Sequence, residues 1–289
     1  MSVILQCEKL THIYSPGTPF EFKALDGLDL SVEKGSFTGI IGHTGSGKST
    51  LIKHFNGLLK PTSGRVLLEG KDIWEEPKKI RSVRSRVGLV FQFPEYQIFE
   101  ETVEKDIAFG PKNMGLDEDG VRRAVEHASE ITGISSAMLK KSPFELSGGE
   151  KRRVAIAGVI AMSPEVLILD EPAAGLDPKG KDAILDYIGR YHREGGNTVM
   201  IVSHSMEDVS RVAERILVLD GGRMTIDGTP KEVFRMGESL KKMGLELPFV
   251  PRVLSRLAAM GIDVDTAEYT SEGAARALMS LKQRRDGNA

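Results

Sequence analysis

The stretch Gly42-His43-Thr44-Gly45-Ser46-Gly47-Lys48-Ser49-Thr50 follows the apolar run Phe37-Thr38-Gly39-Ile40-Ile41 and precedes Leu51-Ile52-Lys53-His54-Phe55. The first run reads as a buried strand and the second as the opening turns of a helix. From Gly42 to Ser49 the pattern G-x-x-x-x-G-K-[ST] is complete, in the strand–loop–helix setting that a phosphate-binding P-loop requires. Gly42, Gly45 and Gly47 let the backbone wrap tightly, because glycine enters positive φ without steric cost. The loop N–H groups then converge on phosphate oxygens, and the positive end of the helix adds to the attraction. Lys48 is placed to reach the β- and γ-phosphates of a nucleoside triphosphate, and the Ser49 hydroxyl to ligate Mg2+.

Outward from this loop the chain alternates strand and helix. Val3 to Leu10 and Leu28 to Val32 read as strands before it, separated by the turn-rich Tyr14-Ser15-Pro16-Gly17-Thr18-Pro19-Phe20. Arg65 to Glu69 and Val87 to Phe91 are further strands. From about Val103 to Met162 the period is helical, clearest over Glu118 to Thr132. Strands return at Val166 to Leu169, Thr198 to Val202 and Arg215 to Leu219, separated by helices over Lys179 to Tyr191 and Met206 to Val212. Alternation of this kind predicts an α/β fold with a mainly parallel sheet, an antiparallel β part at the N-terminus and an inserted helical subdomain over about 96–162. Past Phe234, Pro251 to Met260 and Ser271 to Arg285 read as short amphipathic helices. The expected organisation is one domain over 1–235 and a helical extension over 236–289.

The bulk properties exclude several classes. The 289 residues are 40% hydrophobic and 28% charged, ordinary for a folded soluble chain. A net charge of −2 gives no global basic field for nucleic acid. The single cysteine, Cys7, forms no internal disulfide and fits a reducing compartment. The first eight residues lack the basic stretch and apolar core of a secretory signal. The longest apolar run, Val154 to Met162, is far short of a bilayer span, so any membrane role is expected to come through a partner. The basic run Lys78 to Arg86 reads as a solvated helix face.

Two further motifs carry chemistry. Val166-Leu167-Ile168-Leu169-Asp170-Glu171 is an apolar strand ending in two carboxylates. Asp170 at the strand tip suits a role on Mg2+, and Glu171 beside it suits a general base that orients and deprotonates water. Leu146-Ser147-Gly148-Gly149-Glu150 precedes a helical run. Gly148 and Gly149 allow a phosphate to approach a helix start. Ser147 and Glu150 also fit a capping box at N-cap and N3, and both readings hold together.

This combination resembles the ATP-binding subunit of ABC transporters over roughly residues 1–235, a P-loop NTPase with a RecA-like core. The resemblance implies that Gly42 to Thr50 is the Walker A loop, Asp170 the Walker B aspartate, Glu171 the catalytic glutamate and Ser147 to Glu150 the signature. Gln92 matches the Q-loop glutamine, which senses Mg2+ and links to a membrane partner. Ala174-Gly175-Leu176-Asp177 is similar to the D-loop, and His204 to the switch histidine at the γ-phosphate. The aromatic that stacks on adenine is Tyr14 by position, with Phe20 as the alternative. Glu150 stands where the family more often has glutamine, which adds a carboxylate near the bound phosphates. In the family two such subunits meet head to tail, with ATP between the Walker A loop of one and the signature of the other.

Gln92-Phe93-Pro94-Glu95-Tyr96-Gln97-Ile98-Phe99 narrows the resemblance to the ATPases of energy-coupling-factor transporters and related cobalt and nickel importers, in particular the second of two paired subunits. That implies three partners: a second ATPase, a transmembrane coupling protein docking near Gln92 to Phe99, and a membrane protein that captures a vitamin or metal ion. It also implies a peripheral position on the cytoplasmic face of the membrane. Phe93, Tyr96, Ile98 and Phe99 are too apolar for a purely solvated loop; they either meet such a partner or pack beneath the helical insertion. The tail resembles the extension that pairs the ATPases, although Leu254, Leu257 and Ala258 suit covering the core equally well. The competing readings are a soluble ABC ATPase acting on nucleic acid or ribosomes, the ATPase of another importer class, and a P-loop kinase.

Overall fold

The computed structural model describes residues 2–286. Two sheets and a helical layer are stacked on one another. The N-terminal strands β1 (Val3–Tyr14) and β2 (Phe22–Glu33) form an antiparallel pair, to which β4 (Ser63–Leu68) and the short β5 (Lys71–Asp72) add in the order β2-β1-β4-β5. The second sheet has the order β10-β9-β3-β8-β7-β6. Its strands are β3 (Phe37–Ile41), β6 (Val87–Val90), β7 (Val166–Asp170), β8 (Thr198–Val202), β9 (Arg215–Asp220) and β10 (Arg223–Gly228). The first five run parallel; β10 returns antiparallel on β9 through Gly221-Gly222.

The helices are α1 (Lys48–Phe55), α2 (Ile80–Arg86), α3 (Val103–Asn113), α4 (Glu118–Thr132), α5 (Ser136–Leu139), α6 (Gly148–Ile160), α7 (Pro178–Gly195) and α8 (Met206–Ser210), followed by α9 (Pro230–Arg235), α10 (Gly237–Lys242), α11 (Phe249–Ala259) and α12 (Ser271–Asp286). The bounds of α4 are set locally. Asp117 caps its first turn by accepting from the Gly120 N–H at 2.8 Å, and Gly133 closes it in the left-handed region.

The parallel sheet is the middle layer, and its strands split their side chains between two cores. Phe37, Ile41, Leu167, Leu169, Val199 and Ile201 face α3, α4, α6 and α7. Ile40, Val166, Ile168, Met200, Val202 and Leu217 face α1 and the antiparallel sheet. Every residue of β3, β6, β7 and β8 is buried, which is why these strands read as unbroken apolar runs rather than as alternations. Gly39 stands inside β3 because a Cβ there would lie 2.2 Å from Cγ1 of Val209 on α8.

Three of the departures from the sequence expectation are worth following. The first strand runs on to Tyr14, because bulges between Cys7 and Leu10 and again near His12 keep it paired with β2. Tyr14 is therefore a strand residue opposite Phe22, not part of the following loop. The β10 strand has polar and glycine-rich ends and was not expected. Of the tail residues, Leu254 does not join the main core. It forms a separate small cluster with Val250 and Ala274, against which Leu257 packs.

Candidate active site

Strand β3 delivers the phosphate-binding loop from the centre of the sheet, between β8 and β9. Gly47 opens α1 at φ 104°, and a Cβ there would meet the Ala24 carbonyl at 2.6 Å, so only glycine allows the loop to pass beneath β2. The buried Lys48 donates from Nζ to the carbonyls of Gly42 at 2.6 Å and His43 at 2.9 Å, which holds the ammonium over the loop. Burial pulls its pKa down, and the charges of Glu171 and Asp170 oppose that shift.

A cavity of about 380 Å³ opens on this loop. Thr44, Gly45, Gly47, Lys48, Ser49 and Thr50 line it together with Gln92, Asp170, Glu171 and His204. Four elements far apart in sequence thus converge, all at the C-terminal ends of parallel strands, where open α/β sheets bind ligands. Asp170 is buried at the tip of β7, and its pKa is raised first of all by that burial, against the lowering effect of the Ser49 side chain beside it. One carboxylate and one hydroxyl suit a Mg2+ ion that completes its shell with nucleotide oxygens and water. No protein-only cluster of metal ligands occurs among the described residues.

Glu171 follows in the left-handed region at φ 51°. Its N–H donates to the Val202 carbonyl at 2.8 Å, while its carboxylate turns to the end of β8. Oε1 accepts from the His204 N–H at 2.8 Å and from His204 Nδ1 at 2.7 Å, and Oε2 from the Ser203 hydroxyl at 3.2 Å. The His204 ring is exposed toward the cavity while tied to Glu171. A carboxylate oriented by three donors at the mouth of a phosphate pocket can accept a proton from water at a fixed position.

The remaining expected site residues lie elsewhere. Gly42 and His43 line a neighbouring cavity of about 570 Å³, shared with Gly244 to Phe249 of the C-terminal extension. His43 Nε2 is 3.0 Å from Asp220 Oδ1. Ser46 is buried within the loop. Ser147, Gly148, Gly149 and Glu150 do not line the pocket of their own chain. Ser147 caps α6, with its N–H and hydroxyl donating to Glu150 Oε2 at 2.8 and 2.7 Å. Those bonds lower the Glu150 pKa. Asp177 caps α7, accepting from the Gly180 N–H at 2.7 Å, and is exposed.

Residues 25–174 match the family model described as ABC transporter. The chain belongs to the ABC transporter family. It is 51% identical over 278 residues to the energy-coupling factor transporter ATP-binding protein EcfA2 of Clostridium tetani, covering 96% of each chain. The protein of the same name from Clostridium acetobutylicum is 52% identical over 96% of this chain and 97% of its own. Among solved structures, cbiO1 from Clostridium perfringens, described as part of the ABC transporter complex cbiONQ, superposes with a TM-score of 0.76 at 41% identity, over 91% of this chain and all of that one. The ATP-binding cassette MJ0796, solved as a dimer bound to ADP and Pi, gives a TM-score of 0.70 at 25% identity over 78% and 98%.

This ABC chain also carries site residues that the sequence did not single out. Phe22, 54% exposed, lines the phosphate pocket, whereas neither Tyr14 nor Phe20 does. The Tyr14 hydroxyl lies 3.2 Å from Thr50 Oγ1, and its ring packs edge-on against His12 at 4.4 Å. Phe20 is 83% exposed. Phe22 sits in a segment whose Pro and Gly content reads as loop, so only its alternation with Ala24 hinted at a strand. Phe22 is therefore the aromatic that reaches this pocket, while Tyr14 braces the loop helix. Phe22→Ala is expected to weaken ATP binding roughly tenfold, and Tyr14→Phe distinctly less, by calorimetric titration.

Beneath the loop, His54 on α1 is fully buried against His12. His54 Nδ1 donates to the Thr50 carbonyl at 2.8 Å, which leaves Nε2 to accept from His12 Nδ1 at 3.2 Å. A proton on His54 would set two N–H groups face to face. Burial lowers the His54 pKa from 6.5 to about 4. Between those values the unfolded chain takes up a proton that the folded chain refuses, so stability rises with pH through this window and is lost as the pH falls toward 4. The loss is expected to reach roughly 3 kcal/mol, and His54→Gln to flatten the curve in chemical unfolding measured as a function of pH.

Proposed function

We propose that this chain is the ATP-hydrolysing subunit of an energy-coupling-factor type importer. Closure of an ATPase pair then drives uptake of a vitamin or transition-metal ion through membrane partners. The observation that carries this reading is the division of the site. Lys48, Ser49, Gln92, Asp170, Glu171 and His204 line one pocket, while the signature from Ser147 to Glu150 lies outside it on its own capped helix. The site is half complete and takes its other wall from the signature of a second ATPase chain.

In this reading the loop N–H groups and Lys48 hold the phosphates, and Phe22 faces the base. Ser49 and Asp170, with Gln92 nearby, would hold Mg2+, which would supply charge neutralisation at the transferred phosphate. Glu171 takes the proton of the attacking water at its carboxylate. His204 orients that carboxylate and presents its ring to the terminal phosphate.

The membrane partner has a surface to meet. Tyr96 is 85% and Phe99 62% exposed, and Phe99 packs edge-on against Phe109 at 4.8 Å. Beside them runs a groove of about 880 Å³ lined by Phe99, Phe109, Met114, Val159 and Met162 with Arg81 and Arg84 at its rim. An apolar groove rimmed by arginines suits an amphipathic helix from a transmembrane coupling protein. No helix among the described residues is long and apolar enough to cross a membrane.

The test is affinity capture from detergent-solubilised membranes. The tagged chain is expected to bring down a second ATPase and an integral membrane protein. Tyr96→Ala combined with Phe99→Ala is expected to cut capture of the membrane protein at least about tenfold, since each ring contributes on the order of 1.5–3 kcal/mol when buried. ATP affinity is expected to stay at the wild-type value. Recovery with nucleic acid instead of a membrane protein would overturn the proposal.

A further inference from the structure

Among the described residues Arg152 is the most deeply buried lysine or arginine, at 3% exposure against 8% for Lys48 in the phosphate pocket. It sits on α6, one turn past the signature. Its guanidinium spends nearly all its donors on two other segments. Nε donates to Glu95 Oε2 at 3.2 Å and Nη2 to Glu95 Oε1 at 2.9 Å, a side-on bidentate pair. Nη1 donates to the carbonyl of Pro172 at 3.3 Å and to that of Ala174. The guanidinium carbon stands 6.0 Å from the centroid of Phe93, whose backbone is held in the left-handed region at φ 56°.

Three segments therefore meet on one side chain. Glu95 and Phe93 belong to the apolar docking segment, whose Tyr96 ring stands 6.4 Å from that of Phe93. Pro172 follows Glu171 directly, and Ala174 donates its N–H back to the Glu171 carbonyl at 3.2 Å. Arg152 itself moves with the helix that Ser147 caps. The fork geometry is what makes this possible. A planar guanidinium reaches a carboxylate along one edge and two carbonyls at the other end, whereas a lysine ammonium is a single point with three donors. Because the group is desolvated, shifting any one segment leaves a buried charge or carbonyl unpaired, so the three are favoured to shift together.

We propose that Arg152 is a positioning residue that couples the docking segment to both halves of the catalytic site. Movement imposed on Phe93 to Gln97 by a bound partner passes through the Glu95–Arg152 pair. It turns the signature helix offered to the second chain and displaces the Pro172–Ala174 backbone behind Glu171. The pair lies outside the phosphate pocket and meets the docking segment at Phe93 rather than at Tyr96 or Phe99. Its role is in transmission, and it rests on the transporter reading above.

The experiment uses the assembled transporter and measures ATP turnover with and without its membrane component. Arg152→Lys is expected to retain capture of the membrane component and wild-type ATP affinity, and both it and Glu95→Gln to lower the partner-stimulated kcat roughly tenfold with KM unchanged. The double variant is expected to be no worse than the more affected single one, since both remove the same link. Wild-type stimulation in either variant would overturn the coupling role. So would a parallel fall of melting temperature, ATP affinity and capture, which would make the pair merely structural. If wild-type turnover ignored the membrane component altogether, the transporter reading itself would fail, and that outcome is read from the control before any variant. Glu95→Gln preserves side-chain shape and carries the test if an Arg152 variant does not fold.

Discussion

Glu171→Gln is expected to lower ATP turnover by roughly 10²- to 10⁴-fold while leaving nucleotide affinity intact. The amide keeps the shape of the carboxylate; its oxygen can accept from the His204 donors while its NH2 faces the Ser203 hydroxyl, which accepts instead. It cannot take a proton from water. Its neighbour Asp170 is buried beside Ser49 and turned to the cation position, so it does not replace the lost base. With binding preserved and hydrolysis blocked, the variant is expected to accumulate as an ATP-bound dimer. Size-exclusion chromatography with ATP and Mg2+ measures the dimer, and phosphate release measures turnover. Undiminished release from the assembled complex would remove Glu171 from the base role.

Lys48→Ala acts at the earlier step. The Lys48 ammonium is held by the Gly42 and His43 carbonyls at the centre of the loop and is the cation nearest the phosphate position. Hydrogen bonds to charged groups contribute about 1.5–3 kcal/mol, so its removal is expected to weaken ATP binding roughly 10- to 100-fold. The two loop carbonyls also lose their donor, which loosens the loop that must organise around the phosphates. Calorimetric titration with ATP checks the affinity, and unchanged affinity would show that the backbone N–H groups suffice. The two substitutions are expected to separate the site into parts, Lys48→Ala acting on binding and Glu171→Gln on the chemical step.

The parallel core was legible because burial on both faces leaves an unmistakable trace. Phe37 to Ile41, Val166 to Leu169 and Thr198 to Val202 are apolar at nearly every position, and the structure places all three side by side. The hairpin strand β10 left no such trace. It lies at the sheet edge, where Arg223, Thr225 and Asp227 face outward and only Ile226 is buried. In the site, groups fixed by local chain geometry were named from sequence: the glycines of the loop, and carboxylates at a strand tip. Contacts between distant segments were not. Nothing near Phe22 marks it as facing the pocket, since its place follows from pairing with Tyr14 across a bulged ladder. The basic run after the signature gave no sign that Arg152 is buried while Arg153 is exposed enough to reach the Gly133 carbonyl. The assignment depends on which face of α6 meets the Pro94–Gln97 turn, and that is a tertiary fact.

The reciprocal bonds between Ser147 and Glu150 also bear on how two chains find each other. Glu150 stands where glutamine is more common, and a loose carboxylate there would repel an approaching triphosphate. Its Oε2 is instead turned back on the Ser147 N–H and hydroxyl, so the charge is neutralised in part by its own helix end. The signature thereby arrives at the encounter already rigid. In the proposed pairing, little freedom would remain for it to lose on meeting nucleotide, and association would depend on alignment of the two chains rather than on ordering of the loop.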